Sequence, residues 1–110
     1  PITPNCVSSQ AESSDLHYIA PYKYTKDLVL AFSELKSVIE KQERVKIISS
    51  TDTYLNAEFT SKLMGYVDDV EFYFEDSTKT VHVRSASRLG KSDMNVNRKR
   101  IEMIREQLNW

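Results

Sequence analysis

Arg84 and Arg88 stand four residues apart in a segment where Val81 and Val83 alternate, so on a strand both guanidiniums share the face the valines do not use. They would lie about 13 Å apart along it, suited to an extended partner or two separate groups. A two-residue turn at Asp76-Ser77 would pair Phe72 with Val81 and Val70 with Val83 on the apolar side. The same register sets Glu71 opposite His82 and Asp69 opposite Arg84, holding Arg84 in place and leaving Arg88 freer to meet a ligand. Lys46, Tyr54, Asn56 and Glu58 would join this polar surface from an earlier hairpin. Two readings stand. One is a solvated sheet face laced with ion pairs, each contributing roughly 0.2–1 kcal/mol. The other is a recognition surface where planar arginines meet an anionic or polar ligand.

Asp68 and Asp69 are neighbours and point to opposite faces of a strand, so they cannot share a proton or a metal from one side. Alternation aims Asp68 at the core beside Val70, where it needs hydrogen-bond partners. Ser85 and Ser87 have the same inward parity and could supply hydroxyls, which gives a buried polar cluster at one end of the sheet. Cys6 is a candidate nucleophile, with His17 or His82 to activate it and Asn5 to complete a Cys/His/Asn set. No local signature accompanies that set, and a lone cysteine in a small domain is inert by default. The spacing of the two histidines gives no metal-ligand pattern.

The elements that position these residues follow from periodicity. Pro1, Pro4, Pro21 and two Ser-Ser pairs mark residues 1–24 as an arm packed on the domain at 25–110, with a short strand near Leu16 to Ala20. Thr25 reads as an N-cap with Asp27 in the first turn. Leu28, Ala31, Phe32, Leu35, Val38 and Ile39 then form one helical stripe, so a helix should run from Lys26 to Lys41. From Val45 the period falls to two, and four strands follow. Val45, Ile47, Leu55, Phe59, Val70, Phe72 and Val83 form the core face. Leu89-Gly90-Lys91-Ser92 ends the last strand, Ser92 or Asp93 caps a second helix over 95–109, and Val96, Ile101, Ile104 and Leu108 form its stripe. The expected fold is an α+β two-layer domain. A four- to five-stranded antiparallel sheet carries both helices on one face.

Composition narrows the function classes. A chain of 110 residues suits one domain, and 15 Lys plus Arg against 16 Asp plus Glu leave a formal charge of −1. Two glycines exclude a Gly-rich phosphate loop, and one cysteine excludes an intrachain disulfide or a multi-thiolate zinc site. No apolar run reaches the roughly 18 residues of a membrane span. The stretch from Arg84 to Arg105 holds seven bases against Asp93 and Glu102, yet no aromatic residue. That pattern argues against nucleic acid as a partner.

Six runs taken together resemble a known family. They are Pro4-Asn5-Cys6-Val7-Ser8-Ser9-Gln10, Ala57-Glu58 with Ser61 before Gly65, Asp68-Asp69-Val70-Glu71-Phe72, Val83-Arg84-Ser85-Ala86-Ser87-Arg88, Ser92-Asp93, and Val96-Asn97-Arg98-Lys99-Arg100-Ile101-Glu102. The chain is similar over nearly its whole length to the domain of unknown function 1499 family of bacteria and plants. The resemblance singles out Asn5, Cys6, Glu58, Asp68, Asp69, Arg84, Ser85, Ser87, Arg88, Asp93, Asn97 and Arg98. Relatives often carry a further cysteine four residues before the arm cysteine, where Ile2 stands here, so the local disulfide it would allow is absent. Relatives also often have an N-terminal membrane or export segment, which implies the cell envelope, with membrane attachment only through such a segment. The functional expectation is a non-catalytic module that binds a small anionic ligand or a protein, without cofactor or metal. The alternative is a small enzyme using Cys6 or the Asp/Arg/Ser cluster on an anionic substrate.

Overall fold

The first helix starts at Leu28, later than a cap at Thr25 would set it. The computed structural model describes residues 6–63, 65–88 and 94–110. Strands β1 (Cys6–Ser8) and β2 (Tyr22–Lys23) precede α1 (Leu28–Glu40). The Tyr24 amide donates to the Lys79 carbonyl at 3.1 Å, so the chain is still tied to its neighbour at the point where a cap at Thr25 would begin the helix. Asp27 caps instead, its carboxylate accepting from the Val29 amide at 3.0 Å. Ala31, Leu35 and Ile39 are buried, with Leu28, Phe32 and Val38 packed beside them, as the stripe predicts.

Strands β3 (Val45–Ser50), β4 (Tyr54–Thr60), β5 (Val67–Glu75) and β6 (Thr80–Ser87) form an antiparallel meander, and α2 (Met94–Leu108) closes the fold. The sheet has six strands in the order β1-β6-β5-β4-β3, with β2 also pairing β6. The two added strands come from the arm. β1 and β2 pair end to end along β6, Cys6 opposite Ala86 and Tyr22 opposite Val81, so an otherwise exposed edge is covered. The short strand expected near Leu16 to Ala20 is reduced to one bridge between Tyr18 and Ser8. Ser9 extends the coverage, its Oγ accepting from the Val83 amide at 2.8 Å. The opposite edge, β3, is broken by a register shift between Ile47 and Ser49, which disfavours edge-to-edge pairing.

The β5–β6 connection corrects the expected register. A 3₁₀ turn at Asp76–Thr78 replaces the two-residue turn, and Lys79 adopts a left-handed backbone at φ 53°. The loop is two residues longer, so Phe72 faces Val83, Glu71 faces Arg84 and Tyr73 faces His82. A shift of two preserves side-chain parity. Leu55, Val70, Phe72 and Val83 are therefore buried as the core face, while each polar residue meets a different partner from the one expected.

Both helices cover the apolar face. Tyr22 stacks on Phe72 at 6.2 Å, and its hydroxyl donates to the Ile101 carbonyl at 2.6 Å, tying β2 to α2. Burial raises the Tyr22 phenol well above its ordinary pKa. Truncating a fully buried ring such as Phe72 to alanine costs roughly 3–5 kcal/mol. In α2 the expected stripe is displaced by one residue at its start: Val96 is 48% exposed, and Asn97 takes the buried position instead. Asn97, Ile101, Ile104 and Leu108 then line the inner face. Among the described residues no helix is long and apolar enough to cross a membrane.

Candidate functional site

Strand parity divides the candidate residues between the two faces of the sheet. Arg84 and Arg88 lie on the polar face; Asp68, Ser85 and Ser87 are buried on the helix side.

On the polar face Arg88 is the better-held arginine. Its Nε and Nη2 each lie 2.9 Å from an Asp69 oxygen, a side-on bidentate pair, and Nη2 also donates to Glu58 at 2.5 Å. Glu58 and Asp69 are directly opposite on β4 and β5, and the guanidinium bridges them. These carboxylates raise the Arg88 pKa still further above its ordinary value. The expectation that Asp69 holds Arg84 and leaves Arg88 freer is thus overturned by the two-residue register shift, which moves Arg84 away from Asp69.

Arg84 donates one hydrogen bond among the described residues, from Nη1 to Glu71 Oε1 at 3.1 Å. Glu71 is shared, because the Tyr54 hydroxyl donates to its Oε2 at 2.8 Å. Burial first, and that bond second, push the Tyr54 phenol up to about 12. A cavity of about 330 Å³ is lined by Arg84 with Cys6, Ser8, Gln10, Asp15 and His17. A second, of about 70 Å³, is lined by Arg84 and Gln10 with Tyr54, Glu71, Tyr73 and His82. His82 binds Glu75 through Nε2 at 2.8 Å, and its buried Nδ1 has no partner among the described residues.

The arm brings Cys6 to the same cavity as His17, one of the two histidines offered as its activator, while His82 does not line that cavity. The Cys6 thiol is buried and lies 3.8 Å from the Val7 carbonyl. His17 Nδ1 is 2.6 Å from Asp15 Oδ1, and the His17 amide also donates to that oxygen at 2.8 Å. That backbone bond first, then the ring, hold the Asp15 carboxyl below its usual range.

On the helix side Asp68 meets Arg100, with Nη2 to Oδ2 at 2.8 Å. Arg100 Nη1 also donates to Ser85 Oγ and Asn97 Oδ1, each at 3.1 Å, and its guanidinium sits 4.9 Å from the centre of the Phe59 ring. Ser85 Oγ donates to Asn97 Oδ1 at 2.6 Å, and Asn97 Nδ2 donates to Ser87 Oγ at 3.0 Å. The serines expected to satisfy Asp68 therefore bind Asn97, and Arg100 satisfies Asp68. Arg100 went unselected in the sequence, although a buried carboxylate demands a cation and Arg100 alone of Arg98, Lys99 and Arg100 sits three residues past Asn97, on its face of the helix. Arg98 joins neither group; its Nη2 donates to the Leu16 carbonyl at 2.8 Å. Asn5, Asp93 and the cap expected at Ser92 or Asp93 lie outside the described residues. No cluster of three or more metal-ligating side chains occurs among those described.

The arrangement offers one neutralised arginine, one with donors to spare beside a cavity, and a buried Asp–Arg–Asn–Ser network linking sheet to helix. No curated protein and no solved structure matches the chain. The family model described as Protein of unknown function (DUF1499) matches residues 1–108, nearly the whole chain and every motif read from the sequence, and the chain belongs to that family.

Proposed function

We propose that this domain is a non-catalytic binding module that holds an anionic group of its ligand on Arg84. The observation that carries the reading is the contrast between the two arginines. Arg88 uses its Nε–Nη2 edge to take both oxygens of Asp69, whereas the same edge of Arg84 binds no described residue. A guanidinium presents that edge to a carboxylate or phosphate in a bidentate fork. Ser8 and Gln10 add hydrogen-bonding groups to the lining, and the cavity's roughly 330 Å³ suits a small molecule or one side chain of a protein partner. Titration with inorganic phosphate and with citrate, followed by thermal shift, tests it. Wild type should rise in Tm with anion concentration and Arg84→Gln should not; a parallel rise in both would remove the assignment. A ligand at 100 times its Kd stabilises by about 2.7 kcal/mol, ample to detect.

One observation favours a second reading, a thiol enzyme: Cys6 lines the cavity together with the Asp15–His17 pair. Cys6 is 1% exposed, which opposes nucleophilic use without movement of the arm. Alkylation by iodoacetamide at neutral pH decides between them. A rate typical of an activated thiolate supports the enzyme; modification only on unfolding supports the binding module.

A further inference from the structure

A larger cavity, about 630 Å³, opens on the other side of the molecule between the end of α1, the first half of α2 and Phe59 of β4. Its apolar lining is Phe59, Val96 and Met103, the last two 48% and 38% exposed. Its charged lining is Lys41, Arg44, Lys99 and Arg100 against Glu43. Two of these cations are already matched, Arg44 by Glu43 at 2.9 Å and Arg100 by Asp68 at 2.8 Å. Lys41 and Lys99 are exposed and have no carboxylate partner among the described residues, so the cavity carries two uncompensated positive charges above an apolar floor.

A structural account explains Phe59 and Arg100, which pack and pair inside the fold. It does not explain Val96 and Met103, which flank Lys99 on α2 and keep a large part of their apolar surface exposed. Apolar walls with a few convergent charges and a volume of about 300–1,000 Å³ are the usual form of a small-molecule site. The charge selects an anion and the floor selects an apolar body. We infer that this cavity binds a free anionic amphiphile, a molecule with one carboxylate or phosphate head and an apolar chain. The head would sit between Lys41 and Lys99, with the chain against Val96, Met103 and Phe59. A dissolved molecule fits better than a bilayer surface, because among its described side chains α2 offers only two exposed apolar ones, Val96 and Met103, where a helix lying in a membrane surface carries a whole apolar face. This site is independent of Arg84.

Dansylated undecanoic acid provides the probe. Wild type should enhance its fluorescence saturably, with decanoate and decyl phosphate displacing it and decanol displacing it poorly. The double substitution Lys41→Glu with Lys99→Glu, both at exposed positions, should weaken binding about tenfold or more, the direction set by reversing the complementary charge. Arg84→Gln should bind as wild type, which separates failure here from failure of the Arg84 reading. The inference is overturned if the double variant keeps its affinity, if decanol competes as well as decanoate, or if polyglutamate displaces the probe equally well. It is overturned too if the protein ignores the probe and sediments only with phosphatidylglycerol vesicles.

Discussion

Asp68 and Arg100 form an ion pair at 2.8 Å with side chains only 8% and 14% exposed, joining β5 to α2 beneath the sheet. A pair so enclosed gains little over a well-packed apolar one, yet breaking it strands a charge. Asp68→Asn should therefore lose about 3–5 kcal/mol of stability, read from urea midpoints with m-values. Adding Arg100→Met to that variant should restore part of the loss, since both charges are then gone. Losses that simply add would show that the two side chains act separately.

Asn97 is fully buried and accepts from Ser85 and Arg100 while donating to Ser87. Asn97→Leu matches the apolar stripe of α2 in volume and pattern, and on hydrophobicity alone would stabilise. It takes their shared acceptor from the buried Ser85 hydroxyl and from Arg100 Nη1, each donor costing about 1–3 kcal/mol if left unsatisfied. Net destabilisation of at least about 2 kcal/mol is expected by urea unfolding. A more stable variant would mean the amide network contributes nothing.

The alternation of Leu55, Val70, Phe72 and Val83 made the core face legible, because parity is insensitive to a two-residue slip. Partners are not so protected. The sequence around Asp76 does not distinguish a two-residue turn from a four-residue connection, and that difference exchanged the roles of Arg84 and Arg88. The apolar period in α2 drew attention to Val96, whereas the buried position belongs to Asn97, a polar residue that periodicity cannot select. The inward turn of Asp68 was readable, and its cation could have been sought on the Asn97 face. The contact of the arm with β6 was beyond reach, since pairing of Cys6 with Ala86 is a non-local choice that no spacing encodes.

Arg88 bridges Glu58 and Asp69, two carboxylates that face each other on adjacent strands. Arg88→Ala leaves like charges opposed. The urea midpoint should fall, and added salt should recover much of the loss by screening the repulsion. Arg84→Gln should change the midpoint less, because Glu71 keeps the Tyr54 hydroxyl as donor. Equal losses, indifferent to salt, would contradict the contrast between the two arginines.

Tyr24 and Asp76 set the behaviour of the fold at both ends of the pH scale. The Tyr24 hydroxyl donates to Asp76 Oδ1 at 2.8 Å, and Lys79 Nζ lies 3.1 Å from the same oxygen. The tyrosine bond first, and the lysine second, hold the Asp76 carboxyl below its ordinary 3.8. Its contribution is thus complete above that value and fades as pH falls through it, when the unfolded chain takes up the proton first. Asp15 and Glu34 are lowered likewise and add to the same acid limb. Tyr24 has the opposite sense, its phenol raised above the ordinary 10.0 by burial first and by Asp76 second. That contribution is complete below pH 10 and is lost as pH rises beyond it, when the unfolded chain releases the proton first. Asp76→Asn removes the carboxylate but keeps an oxygen acceptor. The gap in stability between wild type and this variant should narrow below pH 4 and stay constant from neutrality into the alkaline limb, because burial, the larger cause, raises the Tyr24 phenol in both proteins. Urea unfolding across pH 2 to 11 measures it, and a gap that stays constant to pH 2 would show that the Asp76 carboxylate is not favoured by folding.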